Sequence, residues 1–315
     1  MKPFNVFPYD SRFDFMRLRW VSLAVALLLL LAAVAAIGLK GFNFALDFTG
    51  GMGIELRFER PADVDAVRTR LTQAGYAGAQ VQTLGTGTDL LVRLQPKPGH
   101  ALAETRTEVL RLVSTPENPA QVIGGEFVGP QVGKDLAVNG IWALIFVVVG
   151  FLIYISFRFE KKFAVAAVMT TMHDVVVVAG WFAFTGHEFD LTVLAGLLSV
   201  MGYSINDTIV VFDRVRENFR SMRADSLTVL NVSINQTLSR TVITSFVAFL
   251  TVLALYRYGG GSLRGMAEAQ IIGIVIGTLS TIFIACPLLT LGWLKVSKQD
   301  LLPKARDEEA LARRP

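Results

Sequence analysis

Residues 21–39 read Val-Ser-Leu-Ala-Val-Ala-Leu-Leu-Leu-Leu-Leu-Ala-Ala-Val-Ala-Ala-Ile-Gly-Leu, an apolar run without a charge. About 20 such residues carry a helix across the hydrocarbon core of a bilayer. Five later segments qualify or nearly do: 136–157, 163–184, 191–212, 237–256 and 269–294. Ala33-Val34-Ala35 resembles a signal-peptide cleavage site. The apolar stretch is long for a signal h-region, however, and five more spans hold the chain in the membrane anyway. It reads as an uncleaved anchor.

Composition agrees. Hydrophobic residues make up 52% and charged residues only 18%, with a mean hydropathy of +0.50; a soluble domain carries about 25% charged residues. The net charge of +4 is modest and gives no ground for nucleic-acid binding. The one cysteine, Cys286, lies inside an apolar run, so no intramolecular disulfide and no zinc pattern exist, and the thiol reads as a small hydrophobe.

Lys and Arg set the orientation. Lys2, Arg12, Arg17 and Arg19 precede the first span, and Arg158, Lys161 and Lys162 lie between the second and third. Arg214, Arg216, Arg220 and Arg223 lie between the fourth and fifth, and Lys295, Lys298, Lys304, Arg306, Arg313 and Arg314 follow the sixth. With six spans these four segments share one side, the cytoplasm, and both termini lie inside. The connection 185–190 has no Lys or Arg, and the one around Gly259-Gly260-Gly261 has only Arg257 and Arg264. The expected layout is a cytoplasmic N-terminus (1–20), a first span (21–39), a periplasmic domain (42–135), spans two to six (136–294) and a cytoplasmic tail (295–315).

Within 42–135, residues 53–59 alternate apolar and polar and predict a strand. Pro61 opens a predicted helix to residue 74. Strands are expected over 80–84 and 89–94, joined across Gly85-Thr86-Gly87-Thr88, then an amphipathic helix over 101–113 and a strand over 121–128. The order β-α-β-β-α-β predicts a ferredoxin-like domain. Phe48-Thr49-Gly50-Gly51, after Asp47, reads as a tight turn ending the first span. The fold class is a polytopic α-helical membrane protein with one α+β extracytoplasmic domain.

Function is sought among charges that lipid would not tolerate, since a charged side chain near the bilayer centre costs several kcal/mol. Asp207 precedes Asp213, near the expected boundary of the fourth span, by about 9 Å of helix rise. Arg240 falls just inside the same edge of the fifth span, so the two reach similar depths on antiparallel helices. One reading is a carboxylate that takes up and releases a proton beside a guanidinium that stabilises its charged form. The other is a static buried pair, or an Arg that snorkels to the surface. Ser204, Asn206, Thr208, Asn235, Gln236, Thr237, Ser239, Thr241, Thr244 and Ser245 crowd the region and suggest a hydrated seam, although Ser and Thr also join membrane helices. His173 and Asp174, mid-span, either relay a proton or stay hydrogen-bonded and fixed. Asp213 and Arg214 read as a solvated helix end. Gly273-Ile274-Val275-Ile276-Gly277 permits close helix contact. No Walker loop, Ser-His-Asp set or metal constellation is present, and His100, His173 and His187 lie in separate segments. Neither enzymatic activity nor a cofactor is expected.

Several of these stretches carry a family likeness. Asp47-Phe48-Thr49-Gly50-Gly51 resembles the Gly-Gly signature of the SecD/SecF family of protein-export membrane proteins. His173-Asp174-Val175 resembles a third-span motif of its SecF branch. Residues 202–218, Gly-Tyr-Ser-Ile-Asn-Asp-Thr-Ile-Val-Val-Phe-Asp-Arg-Val-Arg-Glu-Asn, are very similar to the fourth-span signature, with Phe212 where Ser is common. Asn235-Gln236-Thr237-Leu238-Ser239-Arg240-Thr241 with Thr244-Ser245 resembles the fifth-span signature. The resemblance implies half of a resistance-nodulation-division-type transporter, with SecD supplying the other half. It also implies an association with the SecYEG channel in the bacterial inner membrane and use of the proton-motive force to help draw preproteins outward. It places Asp207 and Arg240 on the proton pathway, with His173, Asp174, Ser204, Asn206, Thr237 and Thr241 as supporting polar residues. Alternatives are a proton-driven exporter of small hydrophobic compounds or lipids, and a structural scaffold. Against the exporter, the chain has one six-span half and no second large insert at 185–190.

Overall fold

The structure is a computed structural model and describes residues 12–76, 78–84, 87–97 and 100–301. Lys2, the tail residues Lys304, Arg306, Arg313 and Arg314, and Gly85-Thr86 of the expected turn lie outside the described residues. The chain divides into two compact units: Phe44–Ala143, and a bundle made of the described parts of Met1–Asn43 and Leu144–Pro315.

Helix α1 (Arg19–Lys40) stops where Gly41 takes φ 70, a conformation open to glycine. The first unit then supplies β1 (Gly51–Phe58), α2 (Val64–Gln73), β2 (Gln80–Leu84), β3 (Asp89–Leu94), α3 (Leu102–Val113) and β4 (Ala120–Val128). The sheet is antiparallel in the order β2-β3-β1-β4, with Ile54 opposite Val92 and Val81 opposite Val92. This is the ferredoxin-like order the sequence predicts. The inward residues of the central strands, Ile54, Leu56, Leu90 and Val92, are wholly buried and pack in one core with Leu71 of α2 and Val109 of α3.

Two local expectations need correcting. Helix α2 starts at Val64, not at Pro61, because Asp63 caps it by accepting from the amides of Asp65 and Ala66. The Gly50-Gly51 turn does exist, with φ of 65 and 122. It follows a short helix, Leu46–Thr49, and does not end the first span.

Helix α4 (Pro130–Arg158) leads into the bundle, followed by α5 (Lys161–Thr185), α6 (Leu191–Ser221), α7 (Ser226–Tyr258) and α8 (Gly261–Ser280). Among the described residues, six helices are long and apolar enough to cross a membrane. The apolar windows of α5, α6 and α8 are 61%, 50% and 56% buried, whereas those of α1, α4 and α7 are 17%, 6% and 22% buried. The first three therefore form the inside of the bundle, and the others present their apolar side chains outward.

The helices outrun their apolar segments. Asp190 and Asp225 cap α6 and α7, accepting from Val193 N at 2.7 Å and Thr228 N at 3.2 Å. Thus α7 begins well before residue 237, and α6 runs past 212 to Ser221. Asp213 and Arg214 are consequently inside a helix and not at its end; Asp213 pairs with Arg158 and Arg216, and Arg214 with Glu217. Phe212 is fully buried, edge-on to Phe163 at 5.3 Å and Phe159 at 6.2 Å. The sixth span ends early: α8 passes through a π turn (Thr281–Ala285) and a last helical turn, Cys286–Leu288. Pro287 has no amide hydrogen for the carbonyl four residues earlier, and the turn before it widens. Residues up to 294 are therefore not part of that helix.

Small residues set the helix spacing. A Cβ on Gly273 would collide with Val200, and one on Gly277 would meet Ser204 at 3.3 Å, which confirms the close contact expected of this pair of glycines. Gly196 of α6 packs likewise on Met266 and Ala269 of α8, and Gly180 of α5 on Ala33 of α1. Without side chains in the way, dispersion and polar contacts act at short range between membrane helices.

Candidate intramembrane polar site

The close approach of α6 and α8 brings polar groups together in two separate clusters. The first is centred on Asp174 of α5, which is fully buried. Its Oδ2 accepts hydrogen bonds at 2.6 Å from both Ser204 of α6 and Ser280 of α8. Its Oδ1 lies 3.1 Å from His173 Nδ1, and His173 Nε2 lies 3.2 Å from the carbonyl oxygen of Ala26 on α1. A carbonyl only accepts, so Nε2 carries a hydrogen. Four helices meet on His173 and Asp174.

The second cluster surrounds Asp207 of α6, 4% exposed. Ser245 of α7 lies 3.5 Å from Asp207 Oδ2. Tyr203 donates to Ser245 Oγ at 2.7 Å, and Thr278 of α8 lies 2.8 Å from the same oxygen. Arg240 sits on α7 with its side chain exposed. Among the described residues no ion pair joins it to Asp207. Thr241 is buried, and its hydroxyl, like that of Ser239, has no hydrogen-bond partner among the described residues. Buried hydroxyls of this kind are where ordered water binds.

The structure sorts the residues that the sequence had pooled. Ser204 belongs to Asp174, not to Asp207. Thr237 donates back to the carbonyls of Ser233 and Ile234 in its own helix. Asn206 is exposed. Asn235 bonds both the amide and the carbonyl of Phe13, and Gln236 accepts from Asn218; neither lines a seam beside Asp207. Ser280, Thr278 and Tyr203 were not singled out from the sequence. The polar positions 278, 280 and 281 within an otherwise apolar span were the signal for the first two. No cluster of three His, Cys, Asp or Glu capable of holding a metal occurs among the described residues.

Six apolar helices, a ferredoxin-like insert after the first, and carboxylates buried in hydroxyl-lined clusters between the inner helices define a multi-pass membrane protein with polar groups at membrane depth. Residues 109–295 match the family described as protein export membrane protein SecD/SecF, C-terminal, and residues 35–62 match the SecD/SecF GG motif. The chain is 45% identical to the protein translocase subunit SecF of Pseudomonas aeruginosa over 296 residues, covering 93% of this chain and 95% of that one. It is 42% identical to that of Escherichia coli O157:H7, covering 88% and 86%. It superposes with a TM-score of 0.80 and 38% identity on the crystal structure of SecDF, a translocon-associated membrane protein from Thermus thermophilus, over 90% of its own length. It spans 39% of that longer chain. The chain belongs to the SecD/SecF family of protein-export membrane proteins.

Proposed function

We propose that this chain is the SecF-type subunit of a bacterial protein-export apparatus, pairing with SecD and coupling the proton-motive force to late steps of preprotein passage through SecYEG. The observation that carries this reading is the arrangement of Asp207 and Arg240. A buried carboxylate faces the Ser245 hydroxyl of α7, while a guanidinium on the neighbouring helix is exposed. An exposed charge on a membrane-spanning helix is costly unless protein or water meets it. A second half-transporter packed on that face would supply both, and the family resemblance implies an Asp of SecD in the same proton pathway. Asp207 takes up and releases the proton, and Arg240 favours its ionised form. Asp174 and His173 stay fixed and hold helices together, because their hydrogen bonds are internally complete.

In this reading the protein lies in the inner membrane with both termini cytoplasmic and residues 42–135 periplasmic, where the insert holds the emerging chain. The test is preprotein export in membranes carrying Asp207→Asn, with and without a proton gradient, after SecD has been shown to co-purify. Loss of gradient-stimulated export from an assembled complex is expected. An unchanged gradient response would make Asp207 a packing residue and favour the scaffold reading.

A further inference from the structure

Ser245 is the crossing point of the hydroxyls around Asp207. It is 6% exposed and touches three polar side chains from two other helices: Tyr203 at 2.7 Å and Asp207 at 3.5 Å on α6, and Thr278 at 2.8 Å on α8. A hydroxyl has one proton to give and two lone pairs to receive with. Thr278 Oγ1 also lies 2.6 Å from the carbonyl oxygen of Ile274, which can only accept. When the proton of Thr278 goes there, Thr278 receives from Ser245. The single proton of Ser245 then has two alternative acceptors, Thr278 Oγ1 and the carboxylate of Asp207. The 3.5 Å link to Asp207 is long for a hydrogen bond between oxygens, so it is the link that tightens or opens.

We propose that Ser245 is a positioning residue for the Asp207 proton site, its hydroxyl proton turning toward Asp207 when that group is ionised and toward Thr278 when it is protonated. In the first arrangement Tyr203 donates to Ser245, Ser245 donates to the carboxylate, and Thr278 donates to Ile274. In the second, the new Asp207 hydroxyl donates to Ser245, Ser245 donates to Thr278, and Thr278 still donates to Ile274. Every proton stays on its own oxygen apart from the one Asp207 gains. The bond between Ser245 and Asp207 reverses direction, and protonation adds the bond from Ser245 of α7 to Thr278 of α8. The charged and titratable groups facing this junction are Asp207 and Tyr203 from α6 and Arg240 from α7. From α8 it is reached by Thr278, while Asp174 of α5 is engaged by Ser204, Ser280 and His173. The inference rests on the reading of Asp207 as a proton site.

The test uses membranes containing the full complex with SecD and follows two signals across pH: the infrared carbonyl band of a protonated carboxyl group, and gradient-driven export. Asp207→Asn should abolish the band, which assigns it. Ser245→Ala should shift the band and move the pH midpoint of export by about tenfold in proton concentration, the size of one charge-assisted hydrogen bond. Ser245→Thr should restore both. If Asp207→Asn removes neither the band nor the gradient response, the proton-site reading itself fails. If it removes both while Ser245→Ala leaves band and midpoint unchanged, the relay is overturned and the proton site stands. Should Ser245→Ala fail to assemble, Thr278→Val carries the test, since it deletes one of the two acceptors; an unshifted band there overturns the proposal.

Discussion

Ser280 of α8 donates to Asp174 Oδ2 of α5 at 2.6 Å in a position from which solvent is fully excluded. Removing one partner of a buried polar group costs the desolvation of the group left behind, about 1–3 kcal/mol. Ser204 still donates to the same oxygen in Ser280→Ala, so that variant is expected to destabilise the bundle by only about 1 kcal/mol, and removal of both serines by more, measured by denaturant titration of the purified chain in detergent micelles. Equal stability in the variant would show that Asp174 does not depend on this bond.

The contact of Gly273 with Val200 predicts a second stability change. A side chain on Gly273 collides with Val200, and overpacking of a close-packed interior costs about 1–3 kcal/mol. Gly273→Val should lower the unfolding midpoint in micelles, and adding Val200→Ala should recover part of the loss. Additive losses in the double variant would contradict direct contact between the two positions.

The ferredoxin-like unit should respond to pH at both extremes. Glu108 is held below its usual value by its hydrogen bonds to Lys97 and then Tyr76, and Asp89 below its own by Arg57. For a carboxyl group with a depressed folded-state pKa, stabilisation is present above the unfolded value and disappears as pH falls through the folded one. Stability should accordingly decline below about pH 4. Tyr76 is pushed up to about 12, first by burial and then by its bond to Glu108. Its neutral form is favoured, so its contribution is complete below about pH 10 and is lost as pH rises toward 12. Circular dichroism of the intact protein across pH tests this, and Tyr76→Phe should flatten the alkaline limb alone.

Asp207 and Arg240 should behave as a coupled pair. If the guanidinium acts by stabilising the ionised carboxylate, then once Asp207→Asn has removed the charge, Arg240→Ala should add little further loss of gradient-driven export. Multiplying losses in the double variant, measured in the same vesicles, would mean that the two residues serve separate steps.

Much of this was legible in sequence, and the reasons are specific. The strands 80–84 and 89–94 match the structure residue for residue, because polar turns bound them sharply. The six spans were legible because apolar length is a direct requirement of the bilayer. Helix ends were read less well: α6 begins at Leu191 as expected, but it runs past 212 to Ser221 and α7 begins at Ser226 behind its Asp225 cap, and both extensions are polar, so hydropathy stops before the helix does. Pro287 could have warned that the last span would not reach 294. The division of the polar residues between Asp174 and Asp207 was out of reach. It depends on which face of α6 meets α8, and that is decided by Gly196 and Gly273 fitting against particular partners.

The His173–Asp174 unit also constrains how this sequence can change over time. His173, Asp174, Ser204 and Ser280 lie far apart in the chain, yet each completes the hydrogen bonding of another. Replacing Asp174 alone strands the Ser204 hydroxyl and His173 Nδ1, and replacing His173 alone strands Asp174 Oδ1, whereas either serine can go while the other still donates to Oδ2. Descendant sequences should therefore keep or lose His173 and Asp174 as a block, inherited like one character, while positions 204 and 280 are free to drift singly.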